Sequence, residues 1–176
     1  MYYQLIYVEQ DIDLEDFILE KKMQTLEEIK EENGKESTYH SSYEVFIYQN
    51  IISLHITFYV YSGGAHDIRY DQVFYYDLEH KREIFVEDLL KLNEDFLQTI
   101  SKLAEEQLKE MKKEMIYDDA FLLEEGIKPV KENYRYLMFE EDQLQIIFPP
   151  YQVGPWSSGA ITVQIPYFKI AKYLML

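Results

Sequence analysis

The apolar and polar positions of this chain divide it into alternating segments of strand and helix period. Tyr2 to Val8 reads as a strand, and Leu14 to Glu32 then takes up a helical stripe of Leu14, Phe17, Ile18, Met23, Leu26 and Ile29. Asp13 is the expected N-cap of that helix and Asn33-Gly34 its stop. Tyr43 to Gln49 and Ile52 to Tyr61 return to period two, and the Asn50-Ile51 step between them predicts a tight hairpin. Gly63-Gly64 breaks the run, Ile68 to Leu78 resumes it, and Glu79 to Arg82 forms a charged turn from which Ile84 to Val86 pairs back. Val86 to Leu90 predicts a short helical turn. Glu94 to Tyr117 is the longest helix, buried through Phe96, Leu97, Ile100, Leu103, Leu108, Met111 and Met115. Asp118 to Glu125 adds a further helical turn before Gly126. Asn133 to Glu140 and Gln143 to Phe148 form a hairpin about Glu141-Asp142, Ala160 to Ile165 is the last strand, and Pro166 opens a terminal helix running to Leu174.

Strands grouped in hairpins with helices inserted between the groups predict an α+β fold, an antiparallel β-sheet with helices packed on one face. The 176 residues suit a single domain, 1–176, or two packed halves. The halves would be 1–66, with the first strand, helix and hairpin, and 67–176, with the long helix 94–117 and the loop 148–159.

Composition changes this picture in two places. Seventeen basic against 33 acidic side chains leave a net charge of −16, which excludes nucleic acid as a partner, because that binding is driven by Lys and Arg displacing counterions. It speaks equally against anionic membranes and in favour of a basic protein partner, steered in by the field of the chain. With no cysteine, disulfides, thiol nucleophiles and thiolate metal sites are removed together. No window approaches the ~20 apolar residues of a membrane span, and the first residues carry no basic, apolar export signal. Read as complete, the chain is expected in the cytoplasm; read as a piece of a longer one, it fits the cell envelope.

Candidate chemistry gathers in two loops, Tyr61-Ser-Gly-Gly-Ala-His66 and Phe148-Pro-Pro-Tyr-Gln-Val-Gly-Pro-Trp-Ser-Ser-Gly159. Loops dense in Gly, Pro and aromatic residues on a sheet are where binding concentrates. Ser62, Gly63 and Gly64 either permit positive φ at the strand break or contact a partner. His66 is expected to order its loop through a hydrogen bond, with Asp67 beside it. Pro149 and Pro150 stiffen the second loop and present Tyr151 at low entropic cost, as an interface anchor requires. Trp156, the only tryptophan, either packs onto the sheet or joins Tyr151 in facing a partner.

Other chemistries find little support. No P-loop, nucleophile elbow or dinucleotide fingerprint is present, and the four histidines follow no metal-binding spacing. Paired carboxylates such as Glu140-Glu141 fall on helix faces and turns. Neither a catalytic residue nor a cofactor or metal site is assigned. The chemical alternatives are a hydrolase built on His66 and Asp67, with or without a divalent ion, and calcium binding by Asp71 and Asp77.

The order of the motifs resembles that of the RsiV-like domain family. The carriers are Tyr61 to His66, Phe74 to Leu78 followed by Ile84 to Leu90, the Pro-Pro-Tyr loop after Leu144, and the closing Ile161 to Tyr167. The resemblance spans Tyr43 to the end of the chain, more weakly the first strand and helix. It implies an α+β binding module without catalysis of its own. In the anti-sigma factor that names the family, the domain binds lysozyme through loops entering the lysozyme cleft, and a further member lies beside a peptidoglycan deacetylase. For this chain it implies a basic, lysozyme-like protein partner, or alternatively a cell-wall glycan, met through Ser62, Gly63, Gly64, His66, Asp67, Pro149, Pro150, Tyr151 and Trp156.

Overall fold

The computed structural model describes residues 12–33, 37–112 and 120–175. The strand expected over Tyr2 to Val8 and the last turn of the helix expected to reach Tyr117 lie outside them. The fold is α+β. It begins with α1 (Ile12–Asn33), followed by β1 (Thr38–Tyr48), β2 (Ile51–Tyr61), β3 (Ile68–Asp77) and the short β4 (Arg82–Ile84). Helices α2 (Val86–Leu89), α3 (Glu94–Lys112) and α4 (Ala120–Gly126) come next. They lead to β5 (Leu137–Phe139), β6 (Gln143–Phe148), β7 (Ile161–Pro166) and α5 (Tyr167–Ile170). Among the described residues all strand pairs are antiparallel, and the strands fall into two sheets, ordered β1-β2-β3-β4 and β5-β6-β7. Strands on both sides of residue 66 share the first sheet.

Strand β2 is covered on both faces, and its alternation says by what. Ile52, Leu54, Ile56, Phe58 and Val60 point to α1 and form one core with Leu14, Phe17 and Ile29. Each such aliphatic side chain stabilises the fold by about 1.5–3 kcal/mol. Ser53, His55 and Thr57 point the other way and are equally buried. There β5 crosses the sheet: Tyr75 Oη donates to the Leu137 carbonyl (2.8 Å), and Phe139 N–H donates to Ser53 Oγ (3.0 Å). Beyond the crossing, Phe96, Ile100, Ala104 and Leu108 of α3 pack with Leu144, Ile146, Val163 and Ile165 of the second sheet.

Three local expectations are corrected. Helix α1 already contains Asp13, so that residue is not its N-cap; at the other end, Asn33 Nδ2 donates to the Ile29 carbonyl and to Tyr70 Oη. Met23 is half exposed, and the helical stripe runs instead through Lys21 and Thr25, both buried. The Lys21 ammonium lies 5.5 Å from the ring centres of both Phe17 and Phe74 and reaches Glu83 at 2.7 Å, so a buried lysine holds a place on the apolar stripe. Met111 is likewise exposed, its place on the α3 stripe being held by Ala104 and Leu108.

Candidate binding site

The two loops that stand out in the sequence meet in space. The first leaves β2 at Tyr61 and enters β3 at Ile68. Gly63 (φ 90°) and Gly64 (φ 133°) both take conformations that L side chains rarely adopt. Nothing lies near either glycine, so the need is conformational rather than steric. Tyr61 Oη donates to the Gly64 carbonyl (3.4 Å), and Ser62 Oγ bonds Ser37 Oγ at 2.7 Å, tying the loop to the start of β1. His66 Nδ1 lies 2.7 Å from the Asp67 carbonyl oxygen, which only accepts, so Nδ1 carries a proton. The hydrogen bond expected of His66 is thus made to its neighbour's backbone, and the Asp67 carboxylate is not its partner.

The second loop is anchored on one side and displayed on the other. Gln152 N–H donates to the Pro149 carbonyl (3.1 Å), closing a turn with Pro150 and Tyr151 in its centre. Tyr151 sits there at φ 70°, the third-position conformation of a type II turn, which glycine normally occupies. The Gln152 side-chain amide donates to the carbonyls of Gly126 (3.0 Å) and Asn133 (2.8 Å), and Val153 is buried. Gly126 makes this anchoring possible: a Cβ there would lie 2.0 Å from the Gln152 carbonyl oxygen. Trp156 opens a single 3₁₀ turn, ended by Gly159 at φ 65°.

Three rings from the two loops form one cluster. His66 and Trp156 stack at 4.1 Å between centroids with planes 14° apart. Tyr151 leans over both, 6.3 Å from His66 and 6.0 Å from Trp156, and its hydroxyl donates to His66 Nε2 at 3.3 Å. Trp156 therefore packs across the loops onto His66, while Tyr151 stays 54 % exposed. Pro149 and Pro150 form the half-buried base of the turn, and Ser62, Gly63, Gly64 and Asp67 are exposed beyond the rings.

Beneath the first loop, on the same sheet, lies a polar cluster that the loop motifs did not announce. The Asp71 carboxylate, fully buried, accepts from His55 Nε2 (2.7 Å), Thr57 Oγ1 (3.1 Å), Arg69 Nε (2.8 Å) and Arg69 Nη2 (2.7 Å). Burial pushes the Asp71 pKa up, but the hydrogen bonds from His55 and Arg69 outweigh it and hold the group below the usual carboxylate range. Arg69 also donates to Tyr59 Oη at 3.1 Å. The available signal was the run Ser53, His55, Thr57, three polar residues on one face of an otherwise apolar strand.

Both His66 nitrogens are engaged, by the Asp67 carbonyl and the Tyr151 hydroxyl and neither by a carboxylate. Asp71 is committed to Arg69 and His55, and Asp77 to His80 at 2.7 Å, so the calcium alternative loses its ligands. Among the described residues no three His, Asp or Glu side chains lie close enough to hold a metal ion.

An α+β domain of two antiparallel sheets with an aromatic site displayed on two anchored loops is thus the class defined by fold and site. Residues 87–168 match the family described as "Protein of unknown function (DUF3298)". That match contains the second loop; the first lies ahead of it. The chain is 28 % identical over 137 residues to the peptidoglycan-N-acetylmuramic acid deacetylase PdaC of Bacillus subtilis. The aligned part makes up 77 % of this chain and 29 % of PdaC, so the chain spans less than a third of that enzyme. Two crystal structures of DUF3298 family proteins share the fold. The one from Bacteroides fragilis has a TM-score of 0.55 and 21 % identity, covering 88 % of this chain and 62 % of that one. The one from Pseudomonas aeruginosa has a TM-score of 0.62 and 14 % identity, covering 93 % and 78 %.

Proposed function

We propose that this domain is a non-catalytic binding module whose contact surface is the ring cluster of His66, Tyr151 and Trp156, extended by Ser62 to Gly64, Asp67 and the Pro149-Pro150 turn. The observation that carries the reading is Tyr151, an exposed ring at positive φ. A bulky residue in that conformation costs of order 1–3 kcal/mol and persists where the surroundings impose it. Sites of this kind cluster at ligand clamps, and aromatic anchors on rigid turns dominate interface energetics.

The partner that fits best is a basic protein with a cleft, such as a lysozyme, with Tyr151 entering the cleft. The net charge of −16 would steer its approach and contribute to rate more than to final affinity. The test is calorimetric titration with a c-type lysozyme at low and physiological salt. Stoichiometric binding that survives physiological salt, weakens in Tyr151→Ala and is blocked by Ser62→Trp is the expected result. Binding that disappears with salt, or that ignores both substitutions, would sink the reading.

The ring cluster favours a second reading. Stacked aromatic faces suit the apolar faces of sugars, and the deacetylase relative, by its name, acts on peptidoglycan N-acetylmuramic acid. A glycan ligand would be lost in Trp156→Ala yet persist at high salt, because stacking is little screened.

A further inference from the structure

The hydrogen bonds of His66 fix which of its nitrogens holds a proton, and that choice reaches the surface through Tyr151. Nδ1 carries the proton because its partner, the Asp67 carbonyl oxygen 2.7 Å away, only accepts. A neutral imidazole has one N–H, so Nε2 is left with a lone pair and receives the Tyr151 hydroxyl proton at 3.3 Å. The hydroxyl has a single proton to give and gives it inward. Toward solvent, on a ring that is 54 % exposed, it offers lone pairs alone. While His66 is neutral, the tip of this exposed ring is therefore a hydrogen-bond acceptor.

A second proton on His66 enters at Nε2 and inverts this arrangement. Nε2–H becomes the donor and the Tyr151 oxygen the acceptor, which releases the hydroxyl hydrogen to point outward. The same proton charges a ring that stacks 4.1 Å from Trp156 with planes 14° apart. A cation on an indole face is attracted by the ring quadrupole, so the stack is kept in both states. Nδ1 likewise keeps its bond to the Asp67 carbonyl, and the loops need not move. Among the described residues, the titratable groups in contact with His66 are the Tyr151 hydroxyl from the second loop and Asp67, whose side chain is exposed, on its own loop; Trp156 contributes a ring alone. Arg69, further along β3, is taken up by Asp71 and Tyr59. The other histidines belong elsewhere: His40 to β1, His55 to β2 against Asp71, and His80 to the turn that Asp77 holds.

We propose that His66 makes the two-loop site pH-sensitive: a proton gained at Nε2 reverses its hydrogen bond with Tyr151 and places a positive charge among the three rings. The surface then presents a cation and a donor hydroxyl in acid, and neutral rings with an acceptor hydroxyl at higher pH. The group that the acceptor form selects on a partner is a donor, such as the guanidinium or ammonium of a basic protein. Acid removes both the acceptor and the match of charge. Histidine is the side chain whose charge ordinarily changes between pH 5 and 8, so the switch works under mild conditions. Its use in binding rests on the reading of the ring cluster as a contact surface.

The test reads Trp156, the only tryptophan, whose ring lies on His66. Emission of the full chain is followed from about pH 8 to about pH 5. A charged imidazole in van der Waals contact withdraws electron density from an excited indole. Emission should therefore fall in one reversible step as the pH is lowered, and His66→Gln should lack the step. Nitrogen-labelled histidine gives a second reading on the parent chain. The His66 ring should be the Nδ1–H tautomer above the step and carry protons on both nitrogens below it. With a c-type lysozyme as the probe, affinity should fall about tenfold across the same step, as the loss of one bond from a charged donor requires, and His66→Gln should show no such fall. A flat emission profile, a step that persists in His66→Gln, an Nε2–H tautomer above the step, or lysozyme binding that crosses the step unchanged would each overturn the proposal. Absence of lysozyme binding at every pH would fail the contact reading alone, and the emission step and ring tautomer decide the switch by themselves.

Discussion

Two histidines eleven residues apart mark two kinds of polar structure. His55 is 2 % exposed and bonds a buried carboxylate that also holds an arginine. His66 is exposed and bonds a backbone carbonyl and a tyrosine hydroxyl from a distant loop. The first belongs to a closed network whose members satisfy one another, with no buried side-chain donor or acceptor of the described residues left unpaired. The second belongs to an open cluster whose outer faces meet solvent. They are joined through Arg69, which follows Asp67 by two residues, so the buried network fixes the foot of the loop that carries His66. A rigid foot and an exposed tip suit a surface that meets a partner without rearranging.

The largest effect should come from breaking the closed network. Asp71→Ala leaves Arg69 and His55 facing each other without their shared anion and should cost about 3–5 kcal/mol in denaturant unfolding. The pH dependence has a definite sign. Because the folded pKa of Asp71 is depressed, its contribution is complete above the unfolded aspartate value of about 3.9 and drains away as pH falls through the lower folded value. Asp71→Asn should therefore be less stable near neutrality and lose less on acidification than the parent chain. A cost below about 1 kcal/mol would put the network among weak surface pairs and remove the contrast between the two regions.

Next in size is an attack on the anchoring of the open cluster. A methyl group at Gly126 would have to displace the Gln152 carbonyl, and overpacking of this kind costs about 1–3 kcal/mol. Trp156 is the only tryptophan, so its emission reports the stack on His66 directly. Gly126→Ala should lower stability and change that emission together. A stability loss with unaltered emission would mean that the rings do not depend on this anchor.

These positions also show what the sequence makes visible and what it hides. Strands β2 and β3, the hairpin of β5 and β6, and both loops were legible because period-two alternation and Gly or Pro punctuation are local signals. The division into two sheets was not, because it depends on β5 crossing β2 through Tyr75, Leu137, Ser53 and Phe139, residues far apart in the chain. Lys21 was not legible as a buried position, since its charge hides a stem long enough to serve as core. Gly126 reads as a helix stop, and nothing near it tells of the loop 26 residues downstream that needs its missing side chain. Tyr151 stands out as a ring between turn residues, yet its backbone conformation is one that composition would have assigned to glycine.

Gly64→Ala should be milder. At φ 133° any side chain is strained, but a Cβ meets no atom within 4 Å, so the cost is conformational alone, about 1–2 kcal/mol. Because Ser62 is tied to Ser37 and His66 to the Asp67 carbonyl, the disturbance should stay inside the loop and leave the Trp156 emission nearly unchanged.

The smallest expected change in stability separates the two regions most cleanly, because in it relief of backbone strain opposes the loss of a ring. Tyr151→Gly removes the left-handed strain of about 1–2 kcal/mol, and the greater freedom of glycine in the unfolded chain returns about 0.5–1 kcal/mol of that. The lost hydroxyl contact with His66 is long, at 3.3 Å, and solvent-exposed, so it subtracts little. Both substitutions lose the ring's contacts with His66 and Trp156, so Tyr151→Gly, which sheds the strain, should unfold above Tyr151→Ala, which keeps it. If Tyr151→Gly is the more stable protein and also the weaker binder of a confirmed partner, the ring is held against its own backbone preference for the sake of contact. A clear loss of stability would instead make Tyr151 part of the packing that holds the loops together, and its exposed face a by-product of that packing.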